Sequence, residues 1–523
     1  MTDQQHSAAT FLSARRRAFA VVMAIELWER FGYYGMQAVL TVFMVVQLHM
    51  RDHDVNIMQG GLGFLIYSLP VLGGLLGDQC LGTRLTMLMG AFGLTAGYGL
   101  LAMSLGHQAV FLPALTLIAL SNGLFKPNAG TLVRRIYAGD GTALDAAFTL
   151  YYMAINVGST VSMLLMPWLQ QRYGAAVAFL ACAGGLLAGL GYYAVRGGRM
   201  RRFLAGHAAE AVRQHGGASM SVPWMDRLAG PVRKGGLGAG ILLAFMVVWA
   251  FCTWVLYSPA LVRLCIILAG AGLVLLWVWL YLRAQDSERP GLLLTYILCA
   301  QTMAYQIFYQ QMQTSLTLFA MRDVSGVYQL GPWRLFTMSA GQFQALNPIA
   351  VMLFSPLLAW LYRRSARRGQ DAAPAIKILF GYALVALAFC IWWLAAGHST
   401  GLVSPWVMVA GYGTMSLGEL LTIGLGLAIV ARYAPARVSA VLMGALFLLW
   451  GIGMYLGSLV ADLASVPADG GGSLAGYVAL FRGLCLGCAG LCVLLVLLLP
   501  VTGRLGRLHR ERMVKKPVTV TGI

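Results

Sequence analysis

Long apolar stretches alternate with short polar segments along most of the chain. Each stretch holds about 20 or more mostly apolar residues, which is the length that an α-helix needs to cross the hydrocarbon core of a bilayer. The pattern predicts an all-α, polytopic membrane protein with 14 transmembrane helices. The predicted spans are residues 18–48, 59–79, 84–105, 109–133, 145–170, 174–195, 237–258, 260–282, 292–320, 342–362, 374–397, 402–431, 438–462 and 474–502.

The polar segments divide the spans into groups of six, two and six. The longest of them follows the sixth span and contains the basic sequence RMRRF. Two groups of six spans indicate the parallel repeat of a major-facilitator fold, although the two groups share no evident sequence similarity. The expected organisation is a cytoplasmic tail (1–17), an N-terminal six-helix bundle (18–195), a basic cytoplasmic linker (196–236), two additional transmembrane helices (237–283), a C-terminal six-helix bundle (292–502) and a basic cytoplasmic tail (503–523).

The composition agrees with a protein that is solvated mainly by lipid. Hydrophobic residues make up 59% of the chain and charged residues 11%, whereas soluble domains carry about 25% charged residues. A soluble multidomain enzyme is therefore excluded, and so is a disordered chain, which would be highly charged. The nine cysteines lie scattered in apolar stretches and do not form a secreted disulfide framework. The Cys485-x-x-Cys488 pair has no histidine or carboxylate nearby, so no metal site is predicted.

The basic residues are distributed unevenly between the two sides of the predicted bundle. With the N-terminus inside, 29 of the 37 lysines and arginines fall on the inner side, six on the outer side and two within spans. Because cytoplasmic loops of membrane proteins are enriched in positive charge, both termini are expected in the cytoplasm. Topology then explains the net charge of +19, and no nucleic-acid partner is predicted.

Five ionisable residues lie well inside predicted spans: Glu26, Glu29 and Arg30 in the first, Lys126 in the fourth and Glu419 in the second half of the chain. A charge at mid-bilayer costs about 2.5–3.5 kcal/mol on insertion scales, so such residues are few and usually functional. The first three stand at i, i+3 and i+4 and share one helical face. That face is expected to line a cavity or to pair across the bundle. The alternative is a buried ion-pair network that only holds helices together.

These charges favour a zwitterionic ligand. Arg30 and Lys126 supply cationic donors in the first half of the chain, and Glu419 supplies an anionic acceptor in the second half. A molecule with a carboxylate at one end and an ammonium at the other complements both. A carboxylate beside these cations can titrate when they are engaged elsewhere, which would couple proton binding to ligand binding.

Several long motifs in a fixed order resemble one transporter family. ELWERFGYYG (26–35) resembles the ExxER motif and following aromatic residues of the proton-dependent oligopeptide transporter family. The likeness looks strongest to that family's enterobacterial dipeptide and tripeptide permeases, and it runs from residue 20 to 465. It implies a major-facilitator fold and a proton-coupled symporter that imports dipeptides and tripeptides by alternating access across the cytoplasmic membrane, not an enzyme. The other matching segments are YSLPVLGGLLGDQCLGTR, GLFKPNAGTLV, FTLYYMAINVGS, QMQTSLTLFAMRDV, QFQALNPIAVMLFSPLLAWLY and MSLGELLTIGLGLAIVARYAP.

The resemblance also implies roles for residues at matching positions. Proton coupling would rest on Glu26, Glu29 and Arg30 in exchange with Lys126. The peptide carboxylate would bind to Arg30, Lys126, Asn156, Tyr34 and Tyr67, and the peptide amine to Asn347 and Glu419. Tyr33, Gln37 and Gln310 are expected at the pocket or gate, and Asp78 and Arg84 are expected to form a conformational latch.

The chain departs from the family pattern at some of these places. Gln37 and Gln310 stand where many relatives carry an arginine and a glutamate, so a pair there would survive only as neutral hydrogen bonds. Animal members rely on a second-span histidine, and none occurs between His53 and His107. By elimination, proton coupling would rest on the glutamates of the first span. Leu446 stands where the MGxW stretch in the eleventh span of the family usually has a tryptophan.

Two other functions are open on the sequence alone. One is transport of another substrate, such as nitrate, an amino acid or a glycosylated anion, although nitrate offers no ammonium to Glu419. The other is a membrane enzyme or peptide receptor, although the spans contain no Ser/His/Asp set, HExxH motif or metal cluster. No cofactor is expected, with protons as the coupling ion. The expected partners are a small peptide and the lipid bilayer of the bacterial inner membrane, with the monomer as the functional form.

Overall fold

The computed structural model describes residues 2–138, 140–214, 236–368, 372–465 and 473–514, which are helical apart from short connections and one two-stranded hairpin. The chain divides into two compact units. Unit 1 comprises residues 1–48 and 65–258, and unit 2 comprises residues 49–64 and 259–523.

The described part of unit 1 consists mostly of long helices. Helix α1 packs mainly on α7 and α6, and α4 packs on α5. A π-helical turn, Leu76–Cys80, follows α3, and a 3-10 turn, Gln108–Val110, precedes α5. The helices are α1 (Thr2–Val46), the end of α2 (Asp52–Ser68), α3 (Pro70–Leu75), α4 (Thr83–Met103), α5 (Phe111–Ile136), α6 (Gly141–Tyr173), α7 (Ala175–Gln214) and α8 (Gly236–Tyr257).

Unit 2 repeats this style of packing and adds the hairpin, β1 (Val327–Leu330) and β2 (Trp333–Thr337). Helix α13 packs on α17 and α14, and α10 packs on α16. Its helices are most of α2, α9 (Pro259–Leu282), α10 (Arg289–Tyr309), α11 (Ser315–Arg322), α12 (Leu346–Arg367), α13 (Pro374–Gly397), α14 (Trp406–Thr422), α15 (Gly426–Tyr433), α16 (Ala436–Ala461) and α17 (Ser473–Val514).

Thirteen helical segments of the described chain are long and apolar enough to cross a membrane, and they coincide with 13 of the 14 predicted spans. The remaining prediction, residues 18–48, falls within the 45-residue helix α1. Helix α1 is less apolar than the other spans because it carries Glu26, Glu29 and Arg30. The prediction of an all-α polytopic membrane protein is confirmed.

Several helices extend beyond the predicted spans into segments expected to be polar tails or linkers. Helix α7 continues through the first part of the predicted linker to Gln214, and residues 215–235 of that linker lie outside the described residues. Helix α17 continues into the predicted C-terminal tail to Val514. Residues 49–64 group with unit 2 and α8 groups with unit 1, so the bundle boundaries expected from span counting stay a prediction.

Two spans of unit 2 are broken helices, which the hydropathy pattern did not indicate. A 3-10 turn separates α10 from α11, and the hydroxyl of Thr314 donates there to the carbonyl of Gln310 at 2.9 Å. Membrane helices tolerate such breaks where side chains replace lost backbone hydrogen bonds. The second break is the 3-10 turn Ile423–Leu425 between α14 and α15.

The β-hairpin is a second feature that the sequence analysis missed. Its two-residue turn needs Gly331, whose φ of 59° lies in the left-handed region that disfavours other residues. Tyr328 is fully buried, stacks on Phe336 with ring centroids 4.5 Å apart, and donates its hydroxyl to the Pro405 carbonyl at 3.2 Å. These contacts fix the hairpin to the start of α14.

Helix α6 begins at a side-chain cap that is tied to α1. Asp140 accepts a hydrogen bond from the backbone N–H of Ala143 at 3.0 Å and another from Arg15 at 3.0 Å. The backbone donor first, and then the guanidinium, hold the pKa of the Asp140 carboxyl below its usual range. The cap therefore stays ionised and fixes the first turn of α6.

Backbones approach closely where α3 crosses α5. A Cβ added at Gly73 would overlap the carbonyl oxygen of Gly123, so no side chain fits there without moving a helix. Gly73→Ala is therefore expected to lower the thermal unfolding midpoint of the detergent-solubilised protein by a few degrees. Overpacking costs about 1–3 kcal/mol, which exceeds the gain of about 0.5–1 kcal/mol from replacing glycine within a helix.

Gly99→Ala in α4 is the matched control, because no described atom lies within 4 Å of its added Cβ. Its midpoint should equal or exceed that of the wild type. Equal midpoints for the two variants would contradict the close approach of α3 and α5.

Candidate functional site

The charged residues of α1 form a buried cluster in unit 1. The Nε atom of Arg30 lies 3.0 Å from Glu26 Oε1 and 2.7 Å from Glu29 Oε2. The three side chains are at most 4% exposed. As expected from their helical spacing, they share one face, which points into the unit. One guanidinium thus pairs with two carboxyl groups, and its single positive charge can balance only one carboxylate.

Helix α5 brings a cation and an amide to this cluster. Asn122 donates from Nδ2 to Glu29 Oε1 at 2.9 Å. One turn further along α5, Lys126 lies close enough to interact electrostatically with both glutamates. Its ammonium is also 4.7 Å from the ring centroid of Tyr67. Lys126 therefore lies near both α1 carboxyl groups and Tyr67, and its roles in proton coupling and in binding the peptide carboxylate stay predictions.

Aromatic side chains cover the adjoining turn of α1. Tyr33 and Tyr34 meet edge to face with ring centroids 5.1 Å apart, and the Arg30 guanidinium lies 5.8 Å from the Tyr33 centroid. Gln37 is buried and donates to the Tyr33 hydroxyl at 3.1 Å. The structure therefore gives Gln37 a neutral hydrogen bond on its own helix.

Helix α6 closes another side of the cluster. Tyr151 interacts with Glu26 through its hydroxyl. Asn156 is 6% exposed and donates to the carbonyl of Tyr152 in the preceding turn at 2.8 Å. That contact fixes the Asn156 side chain locally, and its role in holding a peptide carboxylate stays a prediction.

Unit 2 contains the second predicted set, centred on Glu419 of α14. Asn347 donates from Nδ2 to Glu419 Oε2 at 2.7 Å and to Ser416 Oγ at 3.0 Å. Glu419 lies one turn before the break between α14 and α15, where Thr422 donates to the carbonyl of Gly418 at 2.7 Å. The two residues expected to bind an amine are thus in direct contact.

Gln310 and the proposed latch residues also have defined neighbours. Gln310 is fully buried and donates to Ser458 Oγ at 3.1 Å. Asp78 lies 3.7 Å from Arg135, whereas Arg84 lies close enough to Tyr193 to interact with it electrostatically. In this structure Asp78 and Arg84 therefore each contact another residue instead of each other. Their role as a conformational latch stays a prediction.

The sequence analysis missed three polar residues at these clusters: Asn122, Tyr151 and Ser416. Asn122 stands four residues before Lys126 and Ser416 three residues before Glu419, so helical spacing could have placed both beside a charged residue. Tyr151 lies within the FTLYYMAINVGS segment that was already noted. Among the described residues, no group of three or more His, Cys, Asp or Glu side chains could hold a metal ion.

Comparison with known proteins gives one consistent result. Residues 84–474 match the POT family. Dipeptide and tripeptide permease A of Salmonella typhimurium is 35% identical over 456 residues, which cover 87% of this chain and 85% of the permease. The crystal structure of tetrameric PepTSo2 is 38% identical with a TM-score of 0.79, and the match covers 94% of this chain and 99% of PepTSo2. A bacterial homologue of the human drug peptide transporters PepT1 and PepT2 is 39% identical with a TM-score of 0.78 and the same coverage.

Proposed function

This chain belongs to the POT family, and on that basis we propose that it is a proton-coupled symporter that imports dipeptides and tripeptides across the bacterial inner membrane by alternating access. It is a transporter and not an enzyme. The observation that carries the proposal is the pair of polar clusters, one in each unit. Unit 1 presents Arg30 and Lys126, and unit 2 presents Glu419, which are the charges that complement a peptide's carboxylate and ammonium.

In this proposal the carboxylate of the peptide binds in unit 1. Arg30 and Lys126 supply the positive charge, and the amide of Asn156 supplies a neutral donor. Tyr34 lies close enough to Arg30 to interact with it electrostatically, and the ring of Tyr67 lies 4.7 Å from the Lys126 ammonium. Arginine binds carboxylates particularly well because its planar fork of N–H groups matches the two oxygens.

The ammonium of the peptide binds in unit 2. Glu419 supplies the negative charge of that cluster, and Asn347 Nδ2 donates a hydrogen bond to its Oε2 at 2.7 Å. The Asn347 carbonyl oxygen and the free lone pairs of Glu419 are acceptors, which is what an ammonium with three donors requires.

Proton coupling follows from competition for Arg30. While Glu26 and Glu29 are ionised, they hold the guanidinium at 3.0 and 2.7 Å. Protonation of one of them weakens that hold and frees Arg30 and Lys126 for the incoming carboxylate. Release of the proton on the inner side restores the pairing and expels the peptide. Inward movement of one positive charge yields about 2.3 kcal/mol per 100 mV, so the membrane potential and the proton gradient can drive accumulation.

We further propose the monomer as the functional form, with both termini in the cytoplasm and no cofactor other than the coupling proton. Each chain carries both clusters, so a second copy is not needed to complete the binding groups. The excess of lysine and arginine on one side of the spans supports the orientation of the termini.

The direct test is uptake of labelled dialanine into proteoliposomes that are acidic outside and negative inside. We expect accumulation above the external concentration that a protonophore abolishes, because the proton gradient is the energy source. Unlabelled nitrate should not compete, since it lacks an ammonium for Glu419. Protein that binds dialanine without transporting it would instead indicate a receptor, and competition by nitrate would indicate another substrate.

A further inference from the structure

Asn122 is a buried polar residue of α5 to which the proposed cycle gives no task. Its side chain is 1% exposed, and its Nδ2 atom donates to Glu29 Oε1 at 2.9 Å. The other oxygen of Glu29 lies 2.7 Å from Arg30 Nε. Asn122 and Arg30 therefore hold opposite oxygens of the same carboxylate.

The second polar atom of Asn122 is also informative. Its Oδ1 atom is buried and finds no hydrogen-bond partner among the described residues. Buried acceptors without a partner are uncommon in folded proteins and call for an explanation. An amide carries both a donor and an acceptor, and a half-turn about its Cβ–Cγ bond exchanges their positions.

The chemistry of Glu29 explains the unused oxygen. An ionised carboxylate only accepts hydrogen bonds, whereas a protonated one also donates through its O–H. With Nδ2 towards Glu29, Asn122 serves the ionised form. After a half-turn, Oδ1 occupies the same place and can accept from the protonated form.

We propose that Asn122 is a positioning residue for proton coupling, which holds the Glu29 carboxyl in both of its protonation states. The role rests on the proposed symport function. It assigns this role to Glu29, because Asn122 Nδ2 donates to Glu29 Oε1 at 2.9 Å while Arg30 Nε lies 2.7 Å from Glu29 Oε2.

The groups around Glu29 determine how removal of the Asn122 amide would change the balance between the ionised and protonated forms of its carboxyl group. Its carboxyl group has two cationic neighbours, Arg30 and Lys126, and one acidic neighbour, Glu26. Since a hydrogen bond to a charged group is stronger than one to a neutral group, the ionised form loses more when the amide is removed. The titratable groups facing Glu29 are Glu26, Arg30 and Tyr33 on α1, Tyr98 on α4, Lys126 on α5 and Tyr151 on α6.

The test compares Asn122→Leu with Ser121→Ala, a neighbouring change at another buried side chain of α5. Dialanine uptake is measured against external pH, and dialanine counterflow is measured without a gradient. For Asn122→Leu we expect the alkaline fall in uptake to move up by about one pH unit, a roughly tenfold change in proton concentration. Counterflow should persist, and Ser121→Ala should follow the wild-type pH profile.

A wild-type pH profile in Asn122→Leu with uptake retained would overturn the role. If Asn122→Leu loses counterflow as well, Asn122→Ser decides, because its hydroxyl can both donate and accept. If the pH profile of uptake by Asn122→Ser matches that of the wild type, the positioning role is supported. If Asn122→Ser also loses counterflow, the positioning role is overturned and Asn122 is a purely structural residue. Absence of protonophore-sensitive uptake in the wild-type protein overturns the symport function itself, which separates the two failures.

Discussion

Glu29→Gln is expected to abolish proton-driven accumulation of dialanine while counterflow of the peptide continues. Glutamine has nearly the same shape, so it can keep the hydrogen bond to Asn122 that Glu29 Oε1 accepts at 2.9 Å. It cannot ionise, so Arg30 loses one of its two anionic partners for the whole cycle. Gradient-driven uptake should fall at least tenfold, to the level reached with a protonophore.

The control for this variant is Glu288→Gln, which removes a different ion pair. Glu288 Oε2 lies 2.6 Å from Arg437, away from the clusters described above. Its uptake and pH profile should match those of the wild type. Full accumulation of dialanine by Glu29→Gln would contradict the coupling scheme. Equal losses of uptake in both variants would indicate general destabilisation of the protein.

Glu419→Gln is expected to weaken binding of peptides that have a free amine by tenfold or more. Asn347 can still donate to the remaining oxygen, so the local structure should survive the change. What disappears is the negative charge that faces an ammonium, and hydrogen bonds between ionised groups are roughly twice as strong as neutral ones.

The comparison of dialanine with N-acetyl-dialanine isolates this effect. The acetylated peptide has no ammonium, so the wild-type protein and Glu419→Gln should bind it equally. Affinities can be measured as the ligand-dependent rise of the unfolding midpoint in detergent. Unchanged affinity of Glu419→Gln for dialanine would remove the amine role from Glu419.

Most of the architecture and the charged cluster of α1 could be predicted because they rest on local rules. A span is a run of apolar residues, and Arg30 meets Glu26 because residues four apart share a helical face. The pairing of Asn347 with Glu419 joins helices far apart in sequence, and only the family resemblance could suggest it. The observed hydrogen bond between them is therefore more informative than the contacts within α1.

The features that were missed depend on tertiary contacts. The break before α11 is stable because side chains such as Thr314 replace backbone hydrogen bonds, which no hydropathy window registers. The hairpin depends on Tyr328 packing against residues at the start of α14. Asn122 looks like an ordinary helix residue in the sequence, because its hydrogen bond to Glu29 exists only when α1 packs beside α5.

The arrangement of partners along the chain also bears on how the protein enters the membrane during synthesis. Arg30 has both carboxylates on its own helix, so α1 arrives with its positive charge already neutralised. Lys126 and Asn122 emerge later, when α1 is already available, and Glu419 emerges after Asn347. For each later charged helix, the polar partner has therefore already been synthesised. The cost of about 2.5–3.5 kcal/mol for a lone intramembrane charge need not persist until translation ends.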